Sequence, residues 1–191
     1  MNKDEDPLPS YDLSKLVILV AEKHPAMRSI MKEVLRKFGM RNIYVESTPE
    51  AAFQTFCSVN PDIVTIDWGP EFDGVSLLNK IRQDQASPNQ VVPVIMITAY
   101  TEKSRVYVAR DAGITEFLAQ PVSAKAVYEH ICKIIETPRE FIRTKTYTGP
   151  DRRRHKGKYD GEERRKGGQT SDEKPRQQKP KEETEGDEPS P

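Results

Sequence analysis

Ile63-Val64-Thr65-Ile66-Asp67-Trp68-Gly69-Pro70-Glu71-Phe72-Asp73-Gly74 sets a β-branched run against a single carboxylate and a string of turn formers. Four β-branched residues with almost no polar alternation read as a short strand covered on both faces. Strands of that kind are parallel and are joined by crossover helices. A carboxylate at the C-terminal end of one lies where open α/β sheets gather their ligands. Asp67 is therefore the residue around which the rest of the chain is read.

Outward from that stretch, the same unit repeats. Leu16-Val17-Ile18-Leu19-Val20-Ala21 is an unbroken apolar run and ends at Glu22-Lys23-His24. Pro25 suits the first turn of a helix, and Gly39 suits its end. Between them Met27, Ile30, Met31, Val34, Leu35 and Phe38 recur at helical spacing and are expected to face inward. Asn42 to Glu46 reads as a second strand, and Thr48-Pro49-Glu50 caps a helix that runs to about Val59. Gly74 to about Asp84 forms a third helix with Val75, Leu77, Leu78 and Ile81 on its apolar side. Pro93 to Ile97 is the fourth strand and ends at Thr98-Ala99-Tyr100. Residues 103–111 form the fourth helix, with Arg105 expected on its exposed side. Ile114 to Ala119 is the fifth strand, and it ends at Gln120-Pro121. Ser123 caps a last helix whose Ala126, Val127, Ile131, Ile134 and Ile135 face inward. Five strands alternating with five helices imply right-handed crossovers and a doubly wound parallel sheet.

Beyond Pro138 the periodicity dissolves. Phe141, Ile142 and Tyr147 are the last apolar residues of any density. The expected organisation is an N-terminal extension over 1–13, one domain over 14–137, and a charged, largely disordered tail over 138–191. The tail holds too few apolar groups to offset its ordering entropy. The 30 Lys and Arg balance the 30 Asp and Glu overall. Locally they do not: residues 139–166 carry eleven basic against five acidic side chains. A basic block of that kind can meet phosphates electrostatically. No helix-turn-helix, zinc finger or ribonucleoprotein signature accompanies it, so nucleic acid is not the expected partner. Cys57 and Cys132 fall in helical segments and read as reduced small hydrophobes. No stretch has the roughly 18 apolar residues of a membrane span, and the acidic start lacks an apolar signal core. The cytoplasm is the expected compartment.

The ordered set of motifs resembles the receiver domain of bacterial two-component response regulators. It is carried by Val17 to Val20 before an acidic corner, Met27-Arg28, Asp67-Trp68 with Asp73-Gly74, Val94 to Ala99, Ala112-Gly113, and Gln120-Pro121. The resemblance implies a flavodoxin-like five-stranded parallel sheet in the order 2-1-3-4-5. It also implies a single receiver domain, not an enzyme, that accepts a phosphoryl group at Asp67 and relays it by protein–protein contact. A sensor histidine kinase or phosphotransfer protein would supply the group, and a downstream protein would read it. Thr98 would hydrogen-bond a phosphoryl oxygen, and Phe117 would take the aromatic switch position. Glu22, Asp67 and the Gly69 carbonyl would ligate Mg²⁺.

Three departures from the family's pattern alter the chemistry. Lys23 stands where an acid is expected, Gln120 stands where a lysine is expected, and the Asp67–Gly74 loop is one residue short. Mg²⁺ wants oxygen ligands, so this Mg²⁺ site is expected to be weak. An ammonium about 4 Å from a carboxylate attracts it by roughly 4 kcal/mol at an effective dielectric of about 20. Lys23 could thus occupy the metal position as an ion pair with Asp67, or neutralise a phosphoryl oxygen in place of the missing lysine. The alternative to phosphorylation is a pseudo-receiver that acts as a constitutive protein-binding module. His24 reads as a solvent-facing corner residue and His130 as a surface residue.

Overall fold

The computed structural model describes residues 11–144 and 147–151, all within one compact unit. The chain runs β1 (Val17–Ala21), α1 (Pro25–Lys37), β2 (Asn42–Glu46), α2 (Pro49–Val59), β3 (Ile63–Asp67), α3 (Gly74–Gln83), β4 (Val94–Thr98), α4 (Lys103–Asp111), β5 (Glu116–Ala119) and α5 (Ala124–Glu136). The five strands form one parallel sheet in the order β2-β1-β3-β4-β5, as expected. Helix starts follow from local chemistry. Thr48, Asp73 and Ser123 each accept a hydrogen bond from a first-turn amide, and Pro25 and Pro49 occupy the N-terminal turns of α1 and α2.

Side chains alternate across each strand, so the sheet has two cores. Leu19, Ala21, Val64, Ile66, Val94 and Met96 pack with residues of α2, α3 and α4. Ile18, Val20, Ile63, Ile95, Ile97 and Leu118 pack with α1 and α5. The central strand β3 is buried at every position, which is what its unbroken apolar run required. Two expected core residues are not in the core: Ile30 is 51% exposed and Ile135 is 38% exposed. Each follows or precedes a residue that is buried, Met31 or Ile134. Consecutive helical positions differ by about 100°, so only one of such a pair can face the sheet squarely.

Regular structure continues past residue 137. Phe141–Arg143 (β6) pairs antiparallel with Thr148–Pro150 (β7) inside the segment read as tail. Arg139 ties the hairpin to the sheet by donating to the carbonyls of Thr115 and Asp151. The hairpin lies against Arg82, which is 1% exposed and stacks 5.0 Å from the Phe141 ring. Arg82 also donates to the carbonyls of Gly113 and Gln90, at 3.1 and 3.0 Å. Burial pushes its guanidinium down from 12.5 to about 10. Glycine is required where the hairpin meets the turn into β5. A Cβ on Gly149 would stand 2.7 Å from the Gly113 Cα, and one on Gly113 would stand 2.5 Å from the Thr148 carbonyl oxygen. The basic block at 152–166, the rest of the tail and residues 1–10 lie outside the described residues.

Candidate functional site

Asp67 ends β3 in the middle of the sheet, and Glu22 extends β1 beside it. The Glu22 amide donates to the Glu46 carbonyl at 3.0 Å, so the β1–β2 ladder continues one residue past the strand. Both carboxylates are buried, with Glu22 4% and Asp67 8% exposed. Asp67 opens into a cleft of about 260 Å³ lined also by His24, Gly69, Pro70, Glu71, Ala99, Tyr100 and Gln120, and a Glu22 carboxylate oxygen lies within 4.8 Å of one of Asp67. Gly74 lets α3 start against β3, because a Cβ there would overlap the Asp67 carbonyl oxygen. Burial, and then the charge of Glu22, push the Asp67 carboxyl up from 3.8 to about 6. The Trp68 and Lys23 amides and the His24 ring act in the opposite direction.

The expected roles are only partly matched by position. Gln120 lines the cleft as expected, with an amide in place of a charge. Lys23 is exposed, and among the described residues no ion pair joins it to Asp67. The chain bends at Lys23, and the His24 amide and ring turn back onto the Glu22 carboxylate. His24, not Lys23, therefore stands beside Glu22. Its Nδ1 lies 3.0 Å from Glu22 Oε1, and its amide donates to the same oxygen at 2.8 Å. One ligand atom each from Glu22, His24 and Asp67 falls within 4.8 Å of the others. Arg28 fixes this corner by donating to the Glu22 and Lys23 carbonyls, at 2.9 and 2.5 Å.

The Gly69 carbonyl, expected on a metal, accepts the Phe72 amide at 3.2 Å, and the Gly69 amide donates to the Phe72 carbonyl at 3.1 Å. The short loop thus closes as a tight hairpin over the buried Phe72. Thr98 is fully buried; its hydroxyl donates to the Trp68 carbonyl at 2.6 Å and accepts from the Tyr100 amide at 3.0 Å. Phe117 is half-buried against the α2–α4 core. Arg105 is not the free surface charge expected: its guanidinium sits 4.5 Å from both the Trp68 and Tyr100 rings. His130 is likewise no plain surface residue, with its Nδ1 3.4 Å from Glu116.

An acidic cleft at the C-terminal edge of a 2-1-3-4-5 sheet, with a lone aspartate on the central strand, is the arrangement of a receiver-type signalling domain. Residues 18–132 match the response regulator receiver domain, and the chain belongs to that family. It is 31% identical over 120 residues to the chemotaxis protein CheY of Pseudomonas aeruginosa, covering 62% of this chain and 95% of the relative. It is equally 31% identical to CheY-3 of Vibrio cholerae, covering 91% of that protein and 62% of this chain. Two solved structures share the fold. CheY4 of Vibrio cholerae superposes with a TM-score of 0.57 at 15% identity, over 62% of this chain and 98% of that one. A putative response regulator from Chloroflexus aurantiacus gives 0.55 at 24% identity, over 63% and 96%. The protein is thus a signalling response regulator of the CheY-like kind.

Receiver domains bind Mg²⁺ at this edge. Two carboxylates here suit a divalent cation, and the imidazole of His24 lies beside them as a third donor. Mg²⁺ takes oxygen ligands, so Glu22 and Asp67 would hold it with water completing the shell, and a nitrogen donor would add little to its affinity. Among the described residues no helix is long and apolar enough to cross a membrane.

Proposed function

We propose that this receiver accepts a phosphoryl group on Asp67 from a sensor histidine kinase or phosphotransfer protein, and that a downstream protein reads the modified surface. The observation that carries this reading is a buried carboxylate at the end of the central strand, opening into a cleft beside Glu22. An Asp67 oxygen would attack the phosphorus in line, the bond from phosphorus to the donor's nitrogen would break, and an acyl phosphate would remain. Such transfer depends on positioning and charge stabilisation. Gln120 can donate a hydrogen bond to a phosphoryl oxygen without neutralising it. The test is a small-molecule phosphodonor with a divalent cation, followed by intact-mass measurement. One phosphoryl increment should appear on the wild-type chain and be absent from Asp67→Asn. No increment under any divalent cation would reject the reading.

One observation favours a second reading, a constitutive binding module. The Thr98 hydroxyl is held by Trp68 and Tyr100, and Lys23 lies outside the cleft. A phosphoryl group would arrive with no side-chain ammonium to meet it. If that reading holds, Asp67→Asn binds the natural partner as tightly as wild type.

A further inference from the structure

We propose that Glu22, His24 and Asp67 form a mixed nitrogen–oxygen site selective for a first-row transition dication over Mg²⁺, with His24 as a metal ligand. The inference rests on the acceptor-site reading for its place in the protein, but not on phosphorylation itself. Three observations carry it. The donor atoms converge within 4.8 Å, two of them on buried carboxylates and one on an imidazole. The 3.0 Å between His24 Nδ1 and Glu22 Oε1 matches the edge of about 3.0 Å between neighbouring ligands of an octahedron with bonds of about 2.1 Å. Among the described residues, no Lys or Arg side chain pairs with either carboxylate. Two carboxylates therefore converge beside an imidazole nitrogen with no side-chain cation between them among the described residues.

Imidazole suits Zn²⁺, Co²⁺, Cu²⁺ and Ni²⁺, whereas Mg²⁺ takes oxygen and gives up its water reluctantly. The corner is also held ready. The His24 amide and Arg28 fix the turn that presents the ring, so little ordering remains on binding. Lys23 is exposed and, among the described residues, pairs with neither carboxylate, so its charge does not occupy the metal position.

The rival is that His24, protonated, is itself the counter-ion and excludes a metal. Titration of the untagged full-length chain with Co²⁺ separates the two. Visible absorption reports nitrogen coordination, and the fluorescence of Trp68, the single tryptophan, reports binding in the cleft. Mg²⁺ titration follows the same fluorescence. Any divalent site prefers Co²⁺ to Mg²⁺ to some degree, so the variant carries the test. His24→Ala should weaken Co²⁺ by about 10–100-fold while moving Mg²⁺ less than about threefold. His24→Asp should strengthen Mg²⁺ and weaken Co²⁺. His155→Ala, remote in sequence, should change neither. Unchanged or tighter Co²⁺ binding in His24→Ala would overturn the proposal, as would an equal loss of both metals. Neither titration contains a phosphodonor, so failure here leaves the acceptor reading standing, and failure to phosphorylate leaves the metal assignment standing.

Discussion

Asp67 carries two opposed demands. As the proposed nucleophile it must be ionised, yet burial and the Glu22 charge hold its carboxyl up at about 6. The same shift predicts a stability effect. The folded value lies above the unfolded one of about 3.9. The group's contribution to folding is therefore whole below about pH 4 and lost as the pH passes through about 6. In chelated buffer at pH 8, Asp67→Asn removes a buried charge and should be more stable by about 2 kcal/mol, with no gain at pH 3.5. Chemical denaturation at the two values checks it; an Asn variant no more stable at pH 8 would contradict the shift. His24 is where residue-level reading fell short. It reads in sequence as a solvent-facing corner residue, yet its Nδ1 lies 3.0 Å from Glu22 Oε1. The contact is made across a bend at Lys23, and nothing in the string Glu22-Lys23-His24 announces that bend.

At the scale of elements, most of the fold was legible because each strand and helix carried its own period and cap. Thr48, Asp73 and Ser123 cap where the sequence placed them, and β3 is buried throughout. What sequence pattern lacked was long-range partnership. Nothing near Arg82 announces that it will be buried under a hairpin beginning almost sixty positions later. Nor does Glu116 announce its partners on α5, since they lie fourteen and seventeen residues on. Burial disfavours the charge of Glu116, but the His130 ring and the Lys133 ammonium outweigh it and hold the carboxyl at about 2. The folded value is below the unfolded one, so this contribution is present above about pH 4.5 and is lost as the pH falls through about 2. Lys133 is half exposed, which screens its share. Lys133→Met should cost about 1 kcal/mol at pH 7 and almost nothing at pH 2. Urea denaturation at both values measures it, and an equal loss at each would mean packing rather than charge. Gly149→Ala has a different cause: its methyl would meet the Gly113 Cα and the Tyr147 hydroxyl. Because one of these is backbone, the substitution should cost about 1–3 kcal/mol at any pH.

At the scale of the molecule, chemistry and support occupy opposite edges of one sheet. The cleft lies at the C-terminal ends of β1 and β3, where Glu22, His24 and Asp67 meet. The β6–β7 hairpin lies at the other edge, tied through Arg139 to Thr115 at the start of β5 and through Arg82 to Gly113 before it. A chain ending at Pro138, where the periodic pattern stops, would lose the Phe141 ring from Arg82 and leave a nearly buried guanidinium facing water on one side. Against a chain ending at Arg154, the loss of that stacking and of the packing on Gly113 should amount to about 2 kcal/mol. That corresponds to a melting temperature lower by roughly 6 °C for a domain of this size. The acceptor cleft contains no hairpin residue. Well below its melting temperature, the shorter chain should therefore take one phosphoryl group as completely as the longer one, and bind Co²⁺ with the same affinity. Differential scanning calorimetry, intact mass and the metal titration on the two chains give the three readouts. A shorter chain that melts normally would reduce the hairpin to surface ornament. A shorter chain that melts low and also fails to bind Co²⁺ while still folded would show that the two edges are coupled through β3, β4 and β5, against the separation argued here.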